Sequence, residues 1–203
     1  TFRRLENMGF FSERNAKGNA YNDRIMNFVP SLTKQHHYNL ANIYVYQAQP
    51  NVLLADETLL KAGEIGGQLD VFYNFKKQTL LGGKFGTKVA LNLSNWHTLG
   101  GKFYLPKKDY DTDFLGFGKK YFSDYNIEIT KKLSPKWQTV FTYINQYYNK
   151  KLVEETFGVV KTNILGAEAT YKFTDSKSIR VLGEHMWADY DKKNWAASTV
   201  EFN

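Results

Sequence analysis

Cysteine is absent from these 203 residues, proline occurs only 4 times, and no apolar run approaches the length a membrane helix needs. The first absence rules out disulfides and thiolate metal centres. The third rules out a helical membrane protein, since a spanning helix takes about 20 consecutive apolar residues. A membrane β-barrel stays open, because its strands alternate and average out as hydrophilic. An apolar leader behind a charged start is also lacking: the chain opens TFRRLENMGFF. Both ends read as cut mid-pattern, so an internal portion of a longer protein is expected, with 1–203 forming one barrel domain. The charge is +7, yet Lys and Arg are spread among acids rather than gathered in a stripe, which argues against a nucleic-acid partner.

What is abundant is aromatic: 14 Tyr and 15 Phe, residue types suited to a pleated, one-sidedly apolar surface. They sit within period-two segments. In 64–76, Ile65, Gly67, Leu69, Val71, Tyr73 and Phe75 share one face. Glu64, Gly66, Gln68, Asp70, Asn74 and Lys76 share the other, with Phe72 as the exception. Segment 84–94 repeats the pattern, placing Phe85, Val89, Leu91 and Leu93 opposite Lys84, Lys88 and Asn92. In 124–133, Tyr125, Ile127 and Ile129 oppose Glu128 and Lys132; in 165–173, Leu165, Tyr171 and Phe173 oppose Glu168 and Lys172. Such alternation predicts strands with one greasy and one wet face. Weaker strands are expected at 37–47, 137–148, 178–190 and 195–202. Apolar residues on both faces leave the orientation of 137–148 open. In 178–190, Arg180 and Glu184 share the wet face.

Tight links (77–83, 134–135, 174–177) alternate with long ones (48–63, 97–121, 149–161), as periplasmic turns and extracellular loops do in a membrane barrel. The link at 191–194 is a short exception. Aromatics gather at both strand ends: Tyr73, Phe75, Phe85, Trp137, Tyr171 and Phe173 beside the tight turns, Trp96, Trp187 and Trp195 at the other end. This resembles the two interfacial girdles of a membrane barrel. The expected fold is therefore an antiparallel transmembrane β-barrel segment of about eight up-and-down strands. Small polar residues on the inner face suit a wide lumen with further strands.

The wet face holds Glu64, Gln68, Asp70, Lys84, Lys88, Glu128, Lys132, Glu168, Lys172, Arg180 and Glu184. A charged pore lining and a ladder of cross-strand ion pairs are the two readings; mixed signs favour the ladder. His36 and His37 are adjacent and point to opposite sides of a strand, which is poor metal geometry. His185 and Asp189 lie on one face near a rim, where a barrel hydrolase would place an acid–His pair, but the spacing shows no partner serine. The pieces GEIGGQ and LGGKFG match no phosphate loop. No catalytic residue, metal site or cofactor is expected. Loops 97–121 and 51–62, the latter with leucines at amphipathic spacing, are the expected contact surfaces for protein partners.

The segments NFVPSLTKQHHYNLANIYVYQAQP, GEIGGQLDVFYNFKK and LGGKFGTKVALNLSNWH, with ENMGFFSER and IRVLGEHMWADYDKKNWAA, resemble a family of uncharacterised outer-membrane barrels from Bacteroidota. That resemblance covers most of the chain and implies a bacterial outer-membrane location, a longer parent protein and no known activity. Two roles fit, a scaffold subunit of a surface assembly or a porin-like channel. The rival reading is a soluble β-sandwich binding glycans through Trp96, Tyr104, Trp187 and Trp195.

Overall fold

The structure, a computed structural model, describes residues 2–6, 36–46, 63–104, 109–153, 158–190 and 193–202. Eight strands form one antiparallel sheet in simple meander order: β1 (Phe2–Glu6), β2 (Gly63–Phe75), β3 (Thr87–Tyr104), β4 (Asp109–Lys132), β5 (Trp137–Asn149), β6 (Val159–Lys172), β7 (Ser178–Tyr190) and β8 (Lys193–Phe202). Among the described residues β1 and β8 do not pair, so the sheet is open. The fold is all-β and up-and-down, as the alternation predicts.

Register runs unbroken along most of the ladder, from Leu69↔Leu93 and Leu93↔Tyr125 through Ile144↔Ile164 and Ile164↔Met186. Because side chains alternate, this register commits whole rows to one side. Leu69, Val71, Tyr73, Ile127, Phe141, Tyr143, Leu165, Trp187 and Val200 form an outer face that the described residues leave uncovered. The opposite, inner face is covered, with Asn92, Asp124, Thr142, Ile144, Gln146, Ile164, Leu182, Glu184 and Met186 all buried.

The tight turns have local causes. At 133–137, Leu133 and Ser134 N–H donate to the Trp137 carbonyl, while Ser134 Oγ accepts from Lys136 N at 3.2 Å and Trp137 N at 3.0 Å. This hydroxyl mimics a backbone turn. Between β2 and β3 a mini-hairpin closes through Gln78 N–H to Gly83 O at 2.7 Å, both residues at positive φ.

Three expectations need correction. Segment 37–47 is not a strand: over 36–46 the chain makes bends and a 3-10 helix at Leu40–Asn42. The eighth strand is instead β1. Loop 97–121 is no loop; β3 and β4 continue as a paired hairpin to Tyr104↔Asp109, with register shifts between Trp96 and Gly101. At roughly 3.3 Å per residue, the hairpin extends the ladder some 25 Å past Trp96. Lys84 and Phe85 lie in the 76–86 turn rather than in a strand, the Lys84 ammonium 5.6 Å from the Phe85 ring centroid. Loop 51–62 lies outside the described residues.

A self-filled polar face as candidate site

Segment 36–46 lies on the inner face, and the sheet meets it with both apolar and polar groups. The apolar seat is Ile144, Ile164, Leu182 and Met186, one residue or two from each of β5, β6 and β7, packed with Tyr38, Leu40 and Ala41. The Tyr38 ring needs Gly166 beneath it: a Cβ there would stand 2.5 Å from Tyr38 Cε1. Its hydroxyl meets Thr142 Oγ1 at 2.9 Å, and burial pushes the phenol pKa up, so it stays protonated.

Glu184 grips the segment's backbone. Its two carboxylate oxygens accept the N–H groups of Asn39 (3.0 Å) and Leu40 (2.9 Å), at the start of the 3-10 helix where no side chain of the segment caps it. A carboxylate accepting two amide protons forms charge-assisted bonds, stronger than neutral ones. Asp124 supplies the second anchor. It meets His36 Nε2 at 2.8 Å and accepts from Gln146 Nε2 at 3.0 Å, while Gln146 also donates to the Ala41 carbonyl at 2.9 Å. The third is Glu64, fully buried, accepting from Tyr46 Oη at 2.5 Å and from the Tyr121 hydroxyl.

Behind these anchors runs a polar ladder across the sheet. Gln68 donates to Asp70 at 2.7 Å, Asn92 to Asp70, Asn126 to Asn92 at 3.1 Å and to Asp124 at 3.0 Å, and Thr162 to Gln146 at 3.2 Å. The amides link the carboxylates of adjacent strands and hold their oxygens in place.

At the long-connection end the segment covers aromatics. Tyr46 packs at a tilt against Trp96 (4.9 Å between ring centroids) and Tyr44 against Tyr148 (5.4 Å), with Tyr121 and Phe122 alongside. A bulge opposite Trp96 and His97 leaves Tyr121 unpaired, and both Tyr121 and Phe122 are buried in this cluster. Trp96 is therefore not a girdle residue on the outer face. It is fully buried, on the side of Ser94, whose Oγ accepts from its indole N–H at 3.0 Å, and Gly66 leaves the room it occupies.

The remaining predicted residues divide cleanly. Glu128 and Glu168 are half-buried on the inner face; Arg180 reaches Glu168 at 3.8 Å, and His37 reaches it at 3.7 Å. Lys88, Lys132 and Lys172 are exposed near the tight turns. Tyr73 and Phe75 (4.7 Å), then Trp137, Tyr171 and Phe173 (4.8 and 5.0 Å), form two aromatic groups at that end. Trp187 is on the outer face against the His185 ring at 4.3 Å; the Trp195 and Tyr104 side chains lie outside the described residues. His185 Nδ1 meets Ser198 Oγ at 2.6 Å, a pair that spacing missed because it forms across β7 and β8. Asp189, four residues along the strand and so roughly 13 Å away, is too far to orient that imidazole.

These features define a class: an open up-and-down β-meander whose polar face is filled by a segment of its own chain. A family model described as "Family of unknown function (DUF6029)" matches residues 1–203, and the chain belongs to that family. No curated protein and no solved structure matches it.

Proposed function

We propose that this chain is part of a bacterial outer-membrane β-barrel that serves as a scaffold subunit of a surface assembly, its lumen closed by segment 36–46. The observation that carries this reading is the uncovered outer face. Leu69, Phe141, Leu165, Trp187 and Val200 are between 47% and 64% exposed, in rows that run the length of the sheet. Monomeric soluble proteins rarely leave large apolar patches in water. Hydrocarbon would cover it without a second protein layer. A 13-residue strand such as β5, tilted by about 40–45°, rises roughly 30 Å, close to the bilayer's hydrocarbon thickness.

The filled inner face favours scaffold over porin. Solutes would have to displace a segment held by three carboxylate anchors and an apolar seat. The soluble glycan binder loses its leading aromatic, since Trp96 is buried.

Fractionation and gel mobility test the membrane reading. The chain should enter the outer-membrane fraction, need detergent for extraction, and migrate differently in SDS before and after boiling. Recovery in the aqueous fraction without detergent would sink it. Planar bilayers separate scaffold from channel: a silent wild type is expected, and steady open conductance would restore the porin.

A further inference from the structure

Charge on this sheet is sorted along the strand axis. The three connections at the tight-turn end, 76–88, 130–138 and 171–178, hold nine lysines and a single acid, Asp175. The buried acids Glu64, Asp124 and Glu184 lie away from those turns and are bound to segment 36–46. The segment thus occupies carboxylates and leaves the lysines free.

Four of those lysines surround one cavity of about 870 Å³, built from the ends of β2, β3, β4 and β5. Lys76, Lys77, Lys88 and Lys132 line it, together with Phe75 and Phe85, and no Asp or Glu does. None of the four ammonium groups meets a carboxylate within ion-pair distance among the described residues. Of the nearest acids on the same face, Asp70 accepts from Gln68 and Asn92, and Glu128 lies two positions from Thr130 along β4.

We propose that this cavity is a binding site for an organic phosphate. Several lysines around one space favour an anionic phosphate, because each added ammonium acts on the same charge. The volume falls in the range of small-molecule sites and far exceeds a bare phosphate ion. Phe75 and Phe85 suit the carbon skeleton behind the phosphate. The same chemistry is offered by a phospholipid headgroup and by a soluble phosphate ester. The site does not depend on what covers the outer face.

Full-length protein is titrated calorimetrically with inorganic pyrophosphate, and separately analysed by native mass spectrometry with phosphatidylglycerol or phosphatidylcholine. Binding of pyrophosphate, or retention of phosphatidylglycerol over phosphatidylcholine, is expected. The double substitution Lys88→Gln with Lys132→Gln should weaken it about tenfold or more, as loss of charge-assisted bonds does. Lys151→Gln, in the short helix Lys150–Val153 that follows β5, should leave it unchanged. Lys76→Gln with Lys77→Gln gives an independent test on the exposed wall and must also weaken binding. Pyrophosphate alone assigns the site to a soluble phosphate; phosphatidylglycerol alone identifies a headgroup. If neither binds, or if binding ignores both lysine pairs, the site is refuted.

Discussion

Glu184 shows how one side chain decides the fate of a whole segment. Replacing it with Ala leaves the buried Leu40 N–H and the part-buried Asn39 N–H without their acceptor, at a cost of about 2–3 kcal/mol. Glu184→Gln keeps the shape and one acceptor and should cost roughly 1 kcal/mol. Hydrogen exchange reads this directly: protection at the amides of 39 and 40 should collapse in the Ala variant and persist in part in Gln. Unchanged protection would mean that Glu184 is not the grip. Gly166→Val tests the same interface from the apolar side. Its side chain would occupy the place of the Tyr38 ring, breaking the Tyr38–Thr142 bond, and overpacking of this type costs about 1–3 kcal/mol. Denaturant unfolding of the variant should show that loss, and Gly166→Ala a smaller one.

At the scale of elements, the inner-face segment and the β3–β4 hairpin behave differently. The segment is bonded to β4, β5 and β7, so releasing it should open the face that it fills. A His36→Ala, Tyr38→Ala, Leu40→Ala triple variant should turn a silent bilayer into a conducting one while keeping the β-sheet circular-dichroism signal. A variant that stays silent with the segment displaced would place the block elsewhere. Beyond Trp96 the described hairpin is a ladder of β3 against β4. Joining Leu99 to Phe117 by a short turn should therefore leave the boiling-dependent SDS mobility intact; its loss would show that the hairpin supports the sheet.

Over the whole molecule, the two faces answer different forces. The outer rows are largely apolar, broken by Asn145, Asn163, His185 and Ser198, with nothing described upon them, and the inner rows are polar around an apolar seat. Charging the outer face separates the possible covers. Leu165→Lys, in mid-strand, should cost about 2–4 kcal/mol if hydrocarbon faces it, as lipid-facing charge does near a bilayer midplane. A water-facing Leu165 would tolerate the change within about 0.5 kcal/mol. Refolding yield into lipid vesicles measures the difference.

Period-two alternation determined the strands by itself, because the side-chain repeat of a strand is fixed by its backbone, and seven of the eight strands follow from it. Parity also carried Trp96, which shares the row of Ser94 and Asn92; the pull of aromatics toward a girdle misplaced it. The signal for the filled face was present as well, in Ile144, Ile164, Leu182 and Met186 at positions where alternation asks for polar residues. What covers them is 100 or more residues away in the chain, and nothing local encodes that meeting. Only the tertiary structure decided that His36, Tyr38 and Leu40 come down on Asp124, Thr142 and Glu184. It also decided that lysines scattered through the sequence gather at one end, because a meander brings every second turn to the same side.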